Sequence, residues 1–128
     1  MTGVLAFVAV GVGGGLGAAV RFWVADTVKA RRPSGFPWGT WVVNTVGSFV
    51  IGVTAGWIAL AGAAEVWHLL LVVGFCGGLT TFSTSVVETV TILHGGRRRV
   101  AVRHALSTLG ASVVAVTAGL LLAGAVAT

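Results

Sequence analysis

The sequence predicts an all-α membrane protein of four transmembrane helices. Three observations carry that prediction. Of the 128 residues, 56% are hydrophobic and only 9% are charged, against about a quarter charged in an average soluble domain. Mean hydropathy is +1.02. The apolar residues fall into four runs separated by short polar breaks, and a span needs about 20 apolar residues. One domain of this size is too small to enclose a wide aqueous pore by itself. The expectation is therefore an oligomer.

The first run covers residues 3–24 and has no Lys or Arg before Arg21. A cleavable signal peptide places its positive charge ahead of the apolar stretch, so this run reads as a span. A basic loop follows, with Lys29, Arg31, Arg32, Pro33, Ser34 and Gly35. The second run covers 38–61, and a short turn with Ala64 and Glu65 leads to the third, 67–93. A tight loop of Gly95, Gly96, Arg97, Arg98 and Arg99 precedes the fourth run, 100–127. At about 1.5 Å per residue each run crosses a hydrocarbon core of about 30 Å. Trp38, Trp41, Trp57 and Trp67 lie near run ends, where interfacial aromatics are favoured.

The net charge is +5, yet the basic residues sit almost wholly in the two loops. Nucleic acid is therefore not the expected partner; the lipid bilayer is. Both basic loops fall on one side of a four-span chain, and the other side carries no Lys or Arg. Cytoplasmic loops collect Lys and Arg. Both termini are expected outside the cytoplasm.

Glycine occurs 20 times, and several glycines are spaced four apart: Gly11 and Gly15, Gly13 and Gly17, Gly52 and Gly56, Gly74 and Gly78. That spacing lays small residues along one helix face and lets backbones approach. The third run breaks the apolar pattern at Gly77-Gly78-Leu79-Thr80-Thr81-Phe82-Ser83-Thr84-Ser85. Two glycines and five hydroxyl residues make a poor lipid-facing helix, so the third helix is expected to be broken mid-membrane. Such backbone is tolerated only where protein or a cavity covers it. Its freed carbonyls could hold a small cation.

Asn44 lies in the middle of the second run, with Ser48 one turn later. A polar side chain at that depth must pair or face water. His104, Thr108 and Ser112 repeat every four residues and share one face of the fourth helix. Apart from Asp26 at an end, the first, second and fourth runs carry no Asp, Glu or Lys. Glu88, near the end of the third, is the remaining membrane carboxylate. This favours an anion over a cation as the permeant species. Hydroxyl and amide groups donate hydrogen bonds that replace water around a small anion. Phenyl edges carry the positive part of the ring quadrupole. Arg21 adds positive field at a mouth, or anchors the helix by snorkelling.

Cys76 is the single cysteine, so no internal disulfide and no metal-ligand spacing exist. Cys76, Ser83, His68, His94 and His104 form no triad spacing, and no enzyme is expected. His68 and His94 read as interfacial.

Three segments carry a resemblance: Gly14-Gly15-Leu16-Gly17-Ala18-Ala19-Val20-Arg21, Gly39-Thr40-Trp41-Val42-Val43-Asn44-Thr45-Val46-Gly47-Ser48-Phe49, and Gly74 through Thr84. Together they resemble the Fluc (CrcB) fluoride channels, with all four helices in order. The resemblance implies passive fluoride export through an antiparallel dimer with two pores and a central structural sodium ion. It implies that Na+ is held by backbone oxygens of Gly77 and Thr80. It places Asn44, Phe82, Ser83, Thr84, Thr108 and Ser112 along the fluoride pore. Two positions depart from the family pattern: Ser85 stands where a second pore phenylalanine is expected, and His104 where tyrosine is frequent. The family commonly inserts in both orientations, whereas this chain is strongly biased. The expected partner is an oppositely oriented paralogue, or otherwise a second copy of the chain. Two other readings are a small multidrug transporter, which needs a carboxylate in the first helix, and a structural, non-conducting subunit.

Overall fold

The computed structural model describes residues 3–32, 36–62 and 64–127. Pro33, Ser34 and Gly35 of the predicted basic loop lie outside the described residues. Helix α1 runs Gly3–Arg31, α2 Trp38–Ala61, and α6 Arg98–Ala127. The third span is composite. It opens with α3 (Glu65–Trp67), continues as a π-helical stretch His68–Cys76, and ends its first half with α4 (Gly77–Leu79). Its second half is α5 (Ser83–His94). The segments Gly3–Arg31, Trp38–Ala61, Glu65–His94 and Arg98–Val126 are each long and apolar enough to cross a bilayer. The four-span, all-helical reading holds, and so does the break in the third span.

Two boundaries differ from the sequence reading for a physical reason. Helix α1 continues through Lys29 and Arg31 in its last turn, where cations complement the partial negative charge of a helix C-terminus. Arg98 and Arg99 are helical rather than looped. The turn between α5 and α6 is left to Gly95 and Gly96, and Gly96 takes a positive φ of 79° that a side chain would strain.

The helices meet through small residues. Helix α2 packs chiefly on α6, and α1 packs on the π-helical stretch and α4. A Cβ added at Gly52 would lie 3.0 Å from the Leu120 nitrogen, and one at Gly119 would lie 2.8 Å from the Val53 nitrogen. The α1 seam uses Gly13, Gly17, Gly74 and Gly78 in the same way. Three of the four predicted glycine pairs thus sit at close approaches. Gly11 and Gly15 instead face open space, because they occupy the outer side of α1. The buried apolar core is correspondingly made of small side chains: Ala9, Val43, Cys76, Leu79, Ala101, Ala115 and Ala123. Large apolar side chains such as Phe7, Phe22 and Trp23 point outward. A bilayer supplies the apolar surroundings they need.

Candidate functional site

The break lies between α4 and α5. Thr80 is extended, with φ −81° and ψ 156°, which ends the α-helical ladder. The side-chain amide of Asn44 on α2 then takes over the interrupted backbone. Asn44 Nδ2 donates to the Thr81 carbonyl at 2.9 Å, and the Thr81 N–H donates to Asn44 Oδ1 at 2.7 Å. The Asn44 side chain thus pairs with both polar groups of one buried residue, as a neighbouring strand would. In a continuous helix the Thr81 N–H would serve the Gly77 carbonyl. The Thr84 N–H would likewise serve the Thr80 carbonyl, but it donates to Thr81 Oγ1 at 3.2 Å. The break therefore strips the helical donors from the carbonyls of Gly77 and Thr80. No group of three or more His, Cys, Asp or Glu side chains that could hold a metal occurs among the described residues. A cation at the break would have to be held by such main-chain oxygens, a hard-donor set suited to a hard ion.

Beside the break runs a groove of about 510 Å³. Asn44 and Ser48 of α2, Thr80 through Phe82 of the break, Ser85 and Thr89 of α5, and Thr108 and Ser112 of α6 line it, among apolar neighbours. No charged side chain lines the groove among the described residues. Its polar groups are an amide and hydroxyls on an otherwise apolar wall. Ser48 Oγ donates to the Asn44 carbonyl at 2.7 Å and Thr89 Oγ1 to the Ser85 carbonyl at 2.8 Å. Such back-bonding quiets hydroxyls that have no other partner. The Phe82 ring is 84% exposed and stands at the groove's edge with no cover from its own chain.

Of the residues the sequence singles out, six meet in this groove: Asn44, Thr80, Phe82, Ser85, Thr108 and Ser112. Four others do not line it. Ser83 and Thr84 are exposed on the opposite side of the first turn of α5. Gly77 is exposed beyond the break. Arg21 is half-buried on α1 and lines no cavity described here.

His104, expected along the groove, is instead wholly buried in its wall. Phe36 covers the imidazole edge-on, with ring centroids 5.4 Å apart. Thr108 Oγ1 lies 3.4 Å from His104 Nδ1 and stands between that ring and the groove. Below the wall is a second cavity of about 360 Å³, at the end of the molecule that carries the basic residues. Lys29, Arg32, Phe36, Trp38, Thr40 and Glu88 contribute to it. The Arg32 guanidinium sits 5.0 Å from the Trp38 ring centre, a cation–π contact that pins the α1–α2 connection over this cavity.

Sequence reasoning missed Thr81. Its place in a hydroxyl cluster is visible, but its pairing with Asn44 joins positions 37 apart, and no local pattern signals that. The π-helical stretch also has no sequence signal, since His68–Cys76 reads as plain apolar helix.

The geometry can be set beside known proteins. Residues 8–120 match the family described as CrcB-like protein, Camphor Resistance (CrcB). A fluoride-specific ion channel FluC from Novosphingobium aromaticivorans is 42% identical over 90% of this chain and 91% of its own length. A fluoride-specific ion channel FluC from Ralstonia pickettii is 42% identical over 85% of this chain and 86% of its own. One from Proteus mirabilis is 39% identical over 83% of this chain and 82% of its own. The match spans all four helices and the break, and the chain belongs to the CrcB-like family of multi-pass membrane proteins.

Proposed function

We propose that this chain is a subunit of a fluoride-specific channel that lets fluoride leave the cytoplasm passively. The observation that carries the reading is the groove: hydroxyls and one amide face an apolar wall with no charged lining group. A small, strongly hydrated anion needs donors to replace its water. Hydroxyl groups can supply them by rotation. A fixed lysine or arginine in the path would bind the ion too tightly to release it. Phe82 would offer its positive ring edge to the same ion. Fluoride is also the ion in the printed names of the relatives.

The assembly we propose is an antiparallel dimer. The exposed Phe82 ring and the open groove both call for a covering surface. The two basic loops on one side fix a single insertion direction by the positive-inside rule, with both termini outside the cytoplasm. A pair then needs an oppositely oriented paralogue. Na+ would sit at the dimer centre on the carbonyls of Gly77 and Thr80, where it would fix the break by charge–dipole attraction. Asn44 positions Thr81 and thereby the break itself. Ser83 and Thr84, exposed on α5, would face the partner's side of the pathway.

Proton-coupled export of organic cations is the weaker reading. The carboxylate it needs is missing from the groove, and Asp26 on α1 is exposed near a helix end. The test is ion efflux from liposomes holding the purified chain, alone and with a paralogue of opposite loop charge. Fluoride is expected to leave, and chloride to be retained. Equal fluoride and chloride release would sink the proposal, as would no fluoride release from either preparation.

A further inference from the structure

Two buried polar atoms in this protein have no hydrogen-bond partner and lie on neighbouring helices. They are His104 Nε2 on α6 and Glu88 Oε1 on α5. Helices α5 and α6 pack together, and the Glu88 charge acts on the imidazole across that seam. The Ser85 carbonyl also faces the ring without making a hydrogen bond to Nε2. On its other side the ring meets Thr108 through Nδ1 at 3.4 Å. Glu88 lines the cavity at the basic end, whereas Thr108 lines the groove. His104 therefore spans the wall between the two, with one nitrogen towards each.

We propose that His104 is a protonation-controlled positioning residue that sets which way the Thr108 hydroxyl points in the groove, making anion passage depend on pH. The idea rests on the channel reading above. With a neutral ring, the Glu88 carboxylate favours the tautomer that carries its proton on Nε2. Nδ1 is then an acceptor, and Thr108 must donate its hydroxyl proton to it. The groove meets Thr108 lone pairs, which repel an anion. When the ring takes up a proton, Nδ1–H becomes a donor and Thr108 Oγ1 the acceptor. The Thr108 proton is released to turn into the groove, where it can serve a passing anion. On the far side, the charged ring offsets the negative field of Glu88 at the cavity. Both changes act in the same direction, so passage rises as pH falls through the titration of His104.

The other charged groups near the cavity are Lys29 and Arg32 from α1, and neither changes charge in the physiological range. From α2, Thr40 is the polar neighbour at the cavity. Phe36 seals the ring from the α1–α2 connection. Histidine is the side chain whose ordinary titration falls in this range.

The experiment is fluoride efflux from liposomes between about pH 5.5 and 8, after subtracting release from protein-free liposomes at each pH. Native protein is expected to speed up about threefold to tenfold towards low pH, the effect of gaining one hydrogen bond to the ion. His104→Tyr, which does not titrate in this range, is expected to give a flat profile. A parallel profile in native protein and His104→Tyr would overturn the proposal. A second readout does not need conduction: nuclear magnetic resonance of ring-labelled histidine in native protein and in Glu88→Gln. The His104 titration midpoint is expected to move to lower pH when Glu88 loses its charge. A midpoint unmoved by that substitution would also overturn the proposal. Absence of efflux at every pH, with a midpoint that does shift, would contradict the channel reading and leave the His104–Glu88 coupling established.

Discussion

The two halves of the third span are built for different tasks. The first half, from Glu65 to Leu79, is clamped to α1 by glycine contacts, and its Gly74, Cys76 and Leu79 are buried. The second half, Ser83–His94, contains no buried residue among those described. It carries Ser85, Thr89 and Glu88 towards the two cavities, and its outer side waits for cover. The contrast separates an anchor from a working surface within one span. Asn44 marks the boundary, since it holds Thr81 at the junction between them.

The comparison can be broken first at the anchor. A Cβ at Gly17 would collide with the Phe75 carbonyl and lie 2.8 Å from the Leu79 nitrogen. Both obstacles are backbone, so they cannot rotate away. Gly17→Val is expected to cost about 3 kcal/mol or more. The measurement is the thermal midpoint and monodisperse yield of the purified protein. Unchanged stability would mean that α1 does not clamp the first half.

The junction comes next. Asn44→Ala removes both partners of a buried backbone N–H and C=O, and each orphaned group costs about 1–3 kcal/mol. The break should loosen while the helices remain. Amide hydrogen exchange at Thr81 is expected to accelerate, with helical content unchanged by circular dichroism. Slow exchange at Thr81 in Asn44→Ala would remove Asn44 from its positioning role.

The smallest effect is expected at Gly77. A Cβ there meets nothing within 4 Å, and its φ of −62° is ordinary helix. Gly77→Ala should leave the stability of the subunit within about 0.5 kcal/mol of the native value. A larger loss in the isolated subunit would show that some packing already covers this face.

How much of this was legible in the sequence depends on whether the signal is local. Apolar run length gave four spans, and the Gly77-Gly78 pair followed by hydroxyls marked the break. Four-residue spacing correctly grouped Thr108 with Ser112. The same spacing carried His104 along with them, yet that side chain lies inside the wall. Helical periodicity fixes a face only to within a wide arc, and Phe36, from a distant part of the sequence, decides which part of the arc is covered. Gly11 and Gly15 fail for a related reason, since spacing names a face without naming the neighbour. The Asn44–Thr81 pair and the Gly119 contact on α2 are long-range, so they emerge only with the fold. The π-helical winding of His68–Cys76 leaves no trace in hydropathy.

The central claim is that fluoride travels along the groove beside the break. Ser112→Cys tests it most directly, because Ser112 lines that groove and the native Cys76 has no exposed surface. A polar thiol reagent added to liposomes should leave fluoride efflux through the native protein intact. Efflux through Ser112→Cys should fall to the level of protein-free liposomes. Undiminished efflux from fully labelled Ser112→Cys would place the pathway elsewhere and contradict the account.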